Sequence, residues 1–212
     1  MLFFALNTIS LPQKIKKMRH LLSFLVLLCL GLSCQQNDTA VQNTSAEAKT
    51  LDPDGQFSMV PIPTSRYQLA QKKGSNAEIV EEGVTDAEGM KNGIWVTYQS
   101  ERPYPAKIVS YVNGLYNGPY FEFDAYGRMT VRANYMNNKL HGLLVKFNNG
   151  TLAQESAYIN GVLDGVYKEF NQKGAVEKEI HYKDGKLDGP FRYYDENGKV
   201  TLEYQYKNGK QQ

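Results

Sequence analysis

Tyr182-Lys183-Asp184-Gly185-Lys186-Leu187-Asp188-Gly189 decides the fold, because the chain repeats it. The pattern Tyr-x-Asn/Asp-Gly-x-x-x-Gly also runs from Tyr111 to Gly118 and from Tyr158 to Gly165. It runs from Tyr135 to Gly142 with Asn138 in place of the first Gly. Tyr206-Lys207-Asn208-Gly209-Lys210 is a truncated copy, and Asn92-Gly93-Ile94-Trp95-Val96-Thr97-Tyr98 a divergent earlier one. Successive motif tyrosines are 24, 23, 24 and 24 residues apart. A fixed period of this size marks a repeat architecture.

Each unit has four parts. The Asn-Gly or Asp-Gly pair supplies the positive φ angles of a tight turn. The motif glycines Gly93, Gly114, Gly118, Gly142, Gly161, Gly165, Gly185, Gly189 and Gly209 are accordingly read as turn residues. A short aromatic strand follows, as in Tyr120-Phe121-Glu122-Phe123 or Phe191-Arg192-Tyr193-Tyr194. A second turn comes next, at Tyr126-Gly127, Asn149-Gly150, Lys173-Gly174 and Asn197-Gly198. The residue missing from the 23-residue unit belongs to this turn, where deletion leaves strand register intact. Last is an alternating strand: Met129, Val131, Ala133 and Tyr135 share one parity, Thr130, Arg132 and Asn134 the other. Period two with one apolar parity predicts a half-buried strand. Tyr167 and Phe170 stand three apart, so either a bulge intervenes or both faces carry apolar area.

A lone hairpin of about 24 residues cannot bury its apolar face. The expected fold is therefore all-β: an elongated single-layer antiparallel sheet of tandem hairpins stacked in series. The repeat domain is placed at residues 77–212, with a divergent first repeat at 77–110, units starting at 111, 135, 158 and 182, and a polar partial cap at 206–212.

Working outward, Leu21 to Leu32 is an apolar run broken by Ser23 and Gly31 and preceded by basic residues. It falls short of the roughly 20 residues of a membrane span and reads as the h-region of a secretory signal. Leu30-Gly31-Leu32-Ser33-Cys34 resembles a bacterial lipobox, with Gly31 where Leu is usual. That resemblance implies a signal peptide over 1–33 and lipidation of Cys34. Several acyl chains on one residue give stable anchoring. Met18-Arg19-His20 would make a compact start, so 1–17 are read as an over-extended beginning. Gln35 after Cys34, in place of an inner-membrane-retaining Asp, leans toward the outer membrane. Residues 34–76 are expected to form a disordered tether, about 40 residues with a reach of roughly 35 Å. Within it, Val60-Pro61-Ile62-Pro63 suits an extended approach to the domain.

The formal net charge is +2, but four basic residues and no acid lie in the first 34 positions, which leaves 20 basic against 22 acidic residues. A near-neutral body argues against nucleic acid, which needs clustered Lys and Arg. The chain has two cysteines; Cys29 lies in the h-region and Cys34 is used by lipid, so cysteine catalysis and thiolate metal sites are excluded.

The unit Tyr-x-Asn-Gly-x-x-x-Gly-x-aromatic, followed by a Gly turn and a second strand, resembles the MORN repeat in its bacterial variant form. Within that group the array over 89–210 is similar to the YwqK-type antitoxin proteins. The resemblance implies a module that holds a protein, such as a toxin, or a lipid-associated or scaffolding role. Those antitoxins are discussed as intracellular, whereas this chain carries an export signal.

No catalytic constellation is legible, so the chain is read as a non-enzyme without cofactor or metal. His141 occupies a position that is Asn117, Asp164 or Asp188 in other units and reads as a turn residue. His181 beside Glu177 and Glu179 reads as a solvated strand face, as does Glu203, among interleaved charges of both signs. Trp95, Tyr98, Tyr120, Phe123, Tyr167, Phe170, Phe191 and Tyr194 recur at one phase of the repeat. They are either sheet core or an open face, and Trp95, Tyr98, Tyr120, Tyr167 and Tyr194 are the candidate binding residues. A protein partner is the first expectation, and a glycan or the cell wall on exposed Tyr/Trp the alternative.

Overall fold

The computed structural model describes residues 55–100, 102 and 104–212. The expected signal segment, Cys34 and the expected tether up to residue 54 lie outside them. The N-terminal strands are β1 (Phe57–Pro61), β2 (Gln68–Lys73), β3 (Ile79–Thr85), β4 (Lys91–Tyr98) and β5 (Pro105–Val112). Then follow β6 (Leu115–Phe123), β7 (Met129–Met136), β8 (Lys139–Leu140), β9 (Gly142–Asn148) and β10 (Thr151–Ile159). The last are β11 (Val162–Phe170), β12 (Val176–Lys183), β13 (Lys186–Tyr194), β14 (Val200–Lys207) and β15 (Lys210–Gln211). All fifteen belong to one open antiparallel sheet in chain order, with the short β8 pairing on β7 beside β9. The expected single-layer stack of hairpins is the fold observed. The sheet starts earlier than expected, because β1 and β2 pair from Phe57↔Lys72 to Pro61↔Gln68. Residues 57–73 are thus mostly sheet rather than tether.

From β5 onward two kinds of turn alternate along the sheet. On one edge, two-residue turns join the strands of each hairpin. Asn113 and Gly114 have φ of 49° and 76°, and Asp184 and Gly185 of 49° and 75°. Positive φ at both central residues is the turn whose twist matches paired strands. These turns stack: the N–H of Gly114, Gly161, Gly185 and Gly209 donates to the carbonyl of Lys91, Leu140, Leu163 and Leu187 in the preceding hairpin, at 2.7–2.8 Å.

On the other edge the turns are longer and are closed by an Asp or Asn side chain. Asp124 Oδ1 accepts the N–H of Tyr126 and Arg128 at 2.8 and 3.0 Å. Asn171 Oδ1 does the same for Lys173 and Ala175, and Asp195 Oδ1 for Asn197 and Lys199. The 23-residue unit departs here: Asn148 pairs with Thr151 around Asn149 and Gly150, a two-residue turn.

The second motif glycine is not a turn residue. Gly93, Gly118, Gly165 and Gly189 lie inside β4, β6, β11 and β13, and Gly142 begins β9. Ser156 pairs with Tyr167 and Tyr158 with Leu163, so β11 spends four steps where β10 spends two. The same excess occurs at β4, β6 and β13. At the bulge Gly165 has φ of 118°, and a Cβ there would stand 2.9 Å from the Ala157 Cβ. The turn reading holds for Gly114, Gly161, Gly185 and Gly209 and is corrected to a bulge for the other five.

Side chains alternate between two faces. One central row runs Trp95↔Val109↔Tyr120↔Ala133, and farther along Ser156↔Tyr167↔Ile180↔Phe191↔Tyr204. On the opposite face the row runs Val96↔Ile108↔Phe121↔Arg132↔Val145↔Glu155↔Lys168↔Glu179↔Arg192↔Glu203. That second row is apolar at its start and charged at its end. At its apolar end Val84, Val96 and Tyr98 are buried against Ile62, Tyr67, Ile79, Ile94 and Ile108. Gly83 lets the Trp95 indole lie on the backbone, since a Cβ there would meet the ring at 2.2 Å.

Candidate functional site

The single aromatic row expected from the repeat phase divides between the two faces. Trp95, Tyr120, Tyr167 and Phe191 belong to the first row, whereas Tyr98, Phe123, Phe170 and Tyr194 lie two residues beyond members of the second. Both possibilities raised by the Tyr167–Phe170 spacing are realised. Each face carries apolar area, and the register shifts by one residue where Phe170 pairs with Val176. Trp95 and Tyr98 are 2 % and 5 % exposed. They are corrected from binding surface to core, because Trp95 is seated on Gly83 and donates to the Val84 carbonyl at 2.9 Å. The Tyr98 hydroxyl in turn donates to the buried Glu82 at 2.6 Å. A glycan stacking on Trp95 has no exposed ring to use.

Uncovered aromatic surface lies on the first face. Tyr111 and Tyr116 stand 5.0 Å apart, Tyr116 and Tyr135 5.4 Å, and Tyr120 and Tyr135 5.4 Å, all half-buried. The ladder resumes with Tyr167–Tyr182 at 6.4 Å and Phe191–Tyr206 at 6.1 Å. It arises because the motif Tyr sits opposite a bulge Gly, as Tyr135 opposite Gly118 and Tyr182 opposite Gly165, which leaves room for the ring. At the N-terminal end Lys91 Nζ lies 3.9 Å from the Trp95 ring centre and 2.6 Å from Glu81. Burial pushes the Lys91 ammonium below its usual value against the pull of Glu81.

Burial likewise raises the hydroxyls of Tyr111, Tyr120, Tyr135 and Tyr167 above the ordinary phenol range. Tyr120 donates to Glu122 and Tyr167 to Glu169, which also holds Lys178 at 3.0 Å. The hydrogen bond from Tyr167, with Lys178 behind it, holds Glu169 below the usual carboxylate range despite its partial burial. The face thus presents neutral, amphipathic rings bordered by paired charges.

The opposite face is held together by its own ions. Glu179 meets Lys168 at 3.4 Å, Arg192 at 3.4 Å and His181 Nε2 at 3.0 Å, and Arg192 also reaches Glu203 at 3.1 Å. Burial pushes the Glu179 carboxyl up, but His181 and Lys168 outweigh it and hold it low. Glu177 stands apart at the register shift and is exposed. Among the described residues no three His, Cys, Asp or Glu converge as a metal site would require.

The position before the bulge glycine, which the sequence reading takes for a turn at Asn117, His141, Asp164 and Asp188, is corrected to a link between hairpins where Asn92, Asp164 and Asp188 occupy it. Asn92 accepts the N–H of Asn113 at 3.0 Å, Asp164 that of Asp184 at 3.1 Å and Asp188 that of Asn208 at 3.3 Å. These acceptors stitch one hairpin to the next. His141 holds this position in its own unit, and its buried Nδ1 has no partner among the described residues. Asp124, Asn171 and Asp195 were missed; the legible signal was an Asp or Asn three residues before Gly127, Gly174 and Gly198.

Two stretches, residues 163–184 and 187–208, match the family model described as MORN repeat variant. Each begins just after a two-residue turn and runs through the bulge, the longer turn and the returning strand to the first residue of the next two-residue turn. Repeats of this kind are commonly protein- or membrane-binding modules. No curated protein matches the chain.

Proposed function

We propose that this array of MORN-type hairpins is a non-catalytic docking module. A protein partner lies across its tyrosine face, and lipid on Cys34 tethers it to a bacterial envelope membrane. The observation that carries the reading is the uncovered aromatic ladder from Tyr111 to Tyr206. Among the described residues no second sheet covers this face, and half-exposed tyrosines supply large contact area at low cost in conformational entropy. The tether reading rests on Leu30–Cys34, and outer-membrane placement on Gln35. An immunity-like role, with a toxin as partner, rests on the resemblance of the repeat to YwqK-type antitoxins.

The reading is tested by placing a photo-crosslinking side chain in the full chain, either at Tyr135 on the tyrosine face or at Arg132 on the other. One defined protein adduct from position 135, absent from position 132 and lost on Tyr116→Ala, is the expected result. Equal adducts from both faces, or none from position 135, overturn it.

A further inference from the structure

The unit with the shortened turn leaves a mark on its edge of the sheet. On either side of it along that edge, neighbouring turns are bridged: Arg128 donates to Asn149 Oδ1 at 3.2 Å, and Lys173 reaches Glu196 at 2.7 Å. Between the turns at 148–151 and 171–175 no side-chain bridge is present among the described residues. A hollow of about 350 Å³ opens there, and a second of about 470 Å³, sharing Phe170, Asn171 and Gln172 with it, lies toward the bridged Lys173–Glu196 pair.

Phe170 and Leu152 give the first hollow its apolar lining, and Asn148, Asn149, Asn171 and Gln172 its polar one. Asn171 Oδ1 is committed to its own turn. Its Nδ2 has no partner among the described residues, nor have the side-chain amides of Asn148 and Gln172. An amide offers donors and an acceptor without charge. The second hollow adds the acceptor Glu177 and the Lys173–Glu196 pair, whose charges cancel.

The lining selects among ligand classes. An anion would meet one lysine already paired and the repelling Glu177. A purely apolar ligand would strand the amides without water, at the cost of unmade hydrogen bonds. Adjacent hydroxyls that donate and accept, on a ring with a C–H face to lie against Phe170, meet every group. We propose that the notch left by the short turn binds a neutral saccharide, independently of any protein on the tyrosine face.

The test is NMR titration of the full chain in sugar-free micelles with maltohexaose, cellohexaose and chitohexaose. At least one should shift the side-chain amide signals of Asn148 and Gln172. The double variant Asn148→Ala/Gln172→Ala should weaken that binding at least about fivefold, the effect of one lost hydrogen bond. Replacing 148–151 with the five-residue turn sequence of 124–128 should abolish it, and Tyr116→Ala should leave it unchanged. Unmoved amide signals with all three sugars overturn the proposal, as does unchanged affinity in the double variant. The double variant keeps the backbone of both turns, so it decides the matter even if the turn replacement fails to fold.

Discussion

At the scale of single residues, positions without a side chain set the limits. Gly83→Ala drives a Cβ into the Trp95 indole and should destabilise by about 3 kcal/mol, the upper range for an overpacked site. Gly189→Ala combines φ of 119° with a Cβ 2.9 Å from that of His181 and should cost about 2–3 kcal/mol. Gly174→Ala, with φ of 81° and open space around it, should cost only about 1 kcal/mol. Urea midpoints at constant m-value rank the three. The ionisable residues act at both ends of the pH scale. Glu179 is held low in the fold, so its contribution is present above the unfolded value of about 4.3 and is lost as pH falls through the folded one. Glu179→Gln should flatten the acid limb of a stability–pH curve. The tyrosines have the opposite sign. Their raised folded values keep a stabilising contribution intact below about pH 10 and remove it as the hydroxyls ionise above that. Absorbance at 295 nm should show some phenols ionising only as the sheet unfolds.

At the scale of the element, the hairpin was the most legible object in the sequence. Asn-Gly and Asp-Gly at a fixed period name the turn, and Met129-x-Val131-x-Ala133-x-Tyr135 names the half-buried strand, because both signals are local. The bulge was not legible. Gly118 and Gly165 look like turn glycines until the pairing register shows two strands advancing at different rates. The division of the aromatic row followed from the same limit, since repeat phase gives position along a unit and not the face. The side-chain-closed turn also has a measurable role. Asp195→Ala removes two acceptor contacts and should cost about 1–2 kcal/mol, felt first as faster amide exchange in β14.

At the scale of the whole molecule, every strand pairs with its neighbours in sequence except that β9 pairs with β7 past the short β8, so no long loop has to close before contacts form. Stability is then a sum of units and the interfaces between them. The buried residues concentrate at the N-terminal end, around Val84, Trp95, Val96 and Tyr98, while β14 is exposed along nearly all its length. Ending the chain after Tyr182 should leave the protection of β3–β5 amides unchanged within about twofold in hydrogen exchange, as expected where coupling reaches only the nearest unit. A collapse of that protection would show that the sheet folds as one indivisible body. The stacked turns, each donating its N–H to the hairpin before it, also give the array a mechanical direction. Pulled apart between its two ends, it would peel one hairpin at a time. Each release would sever the links a turn makes to its predecessor, so tension would lengthen the molecule in countable steps, like a ratchet strap let out notch by notch.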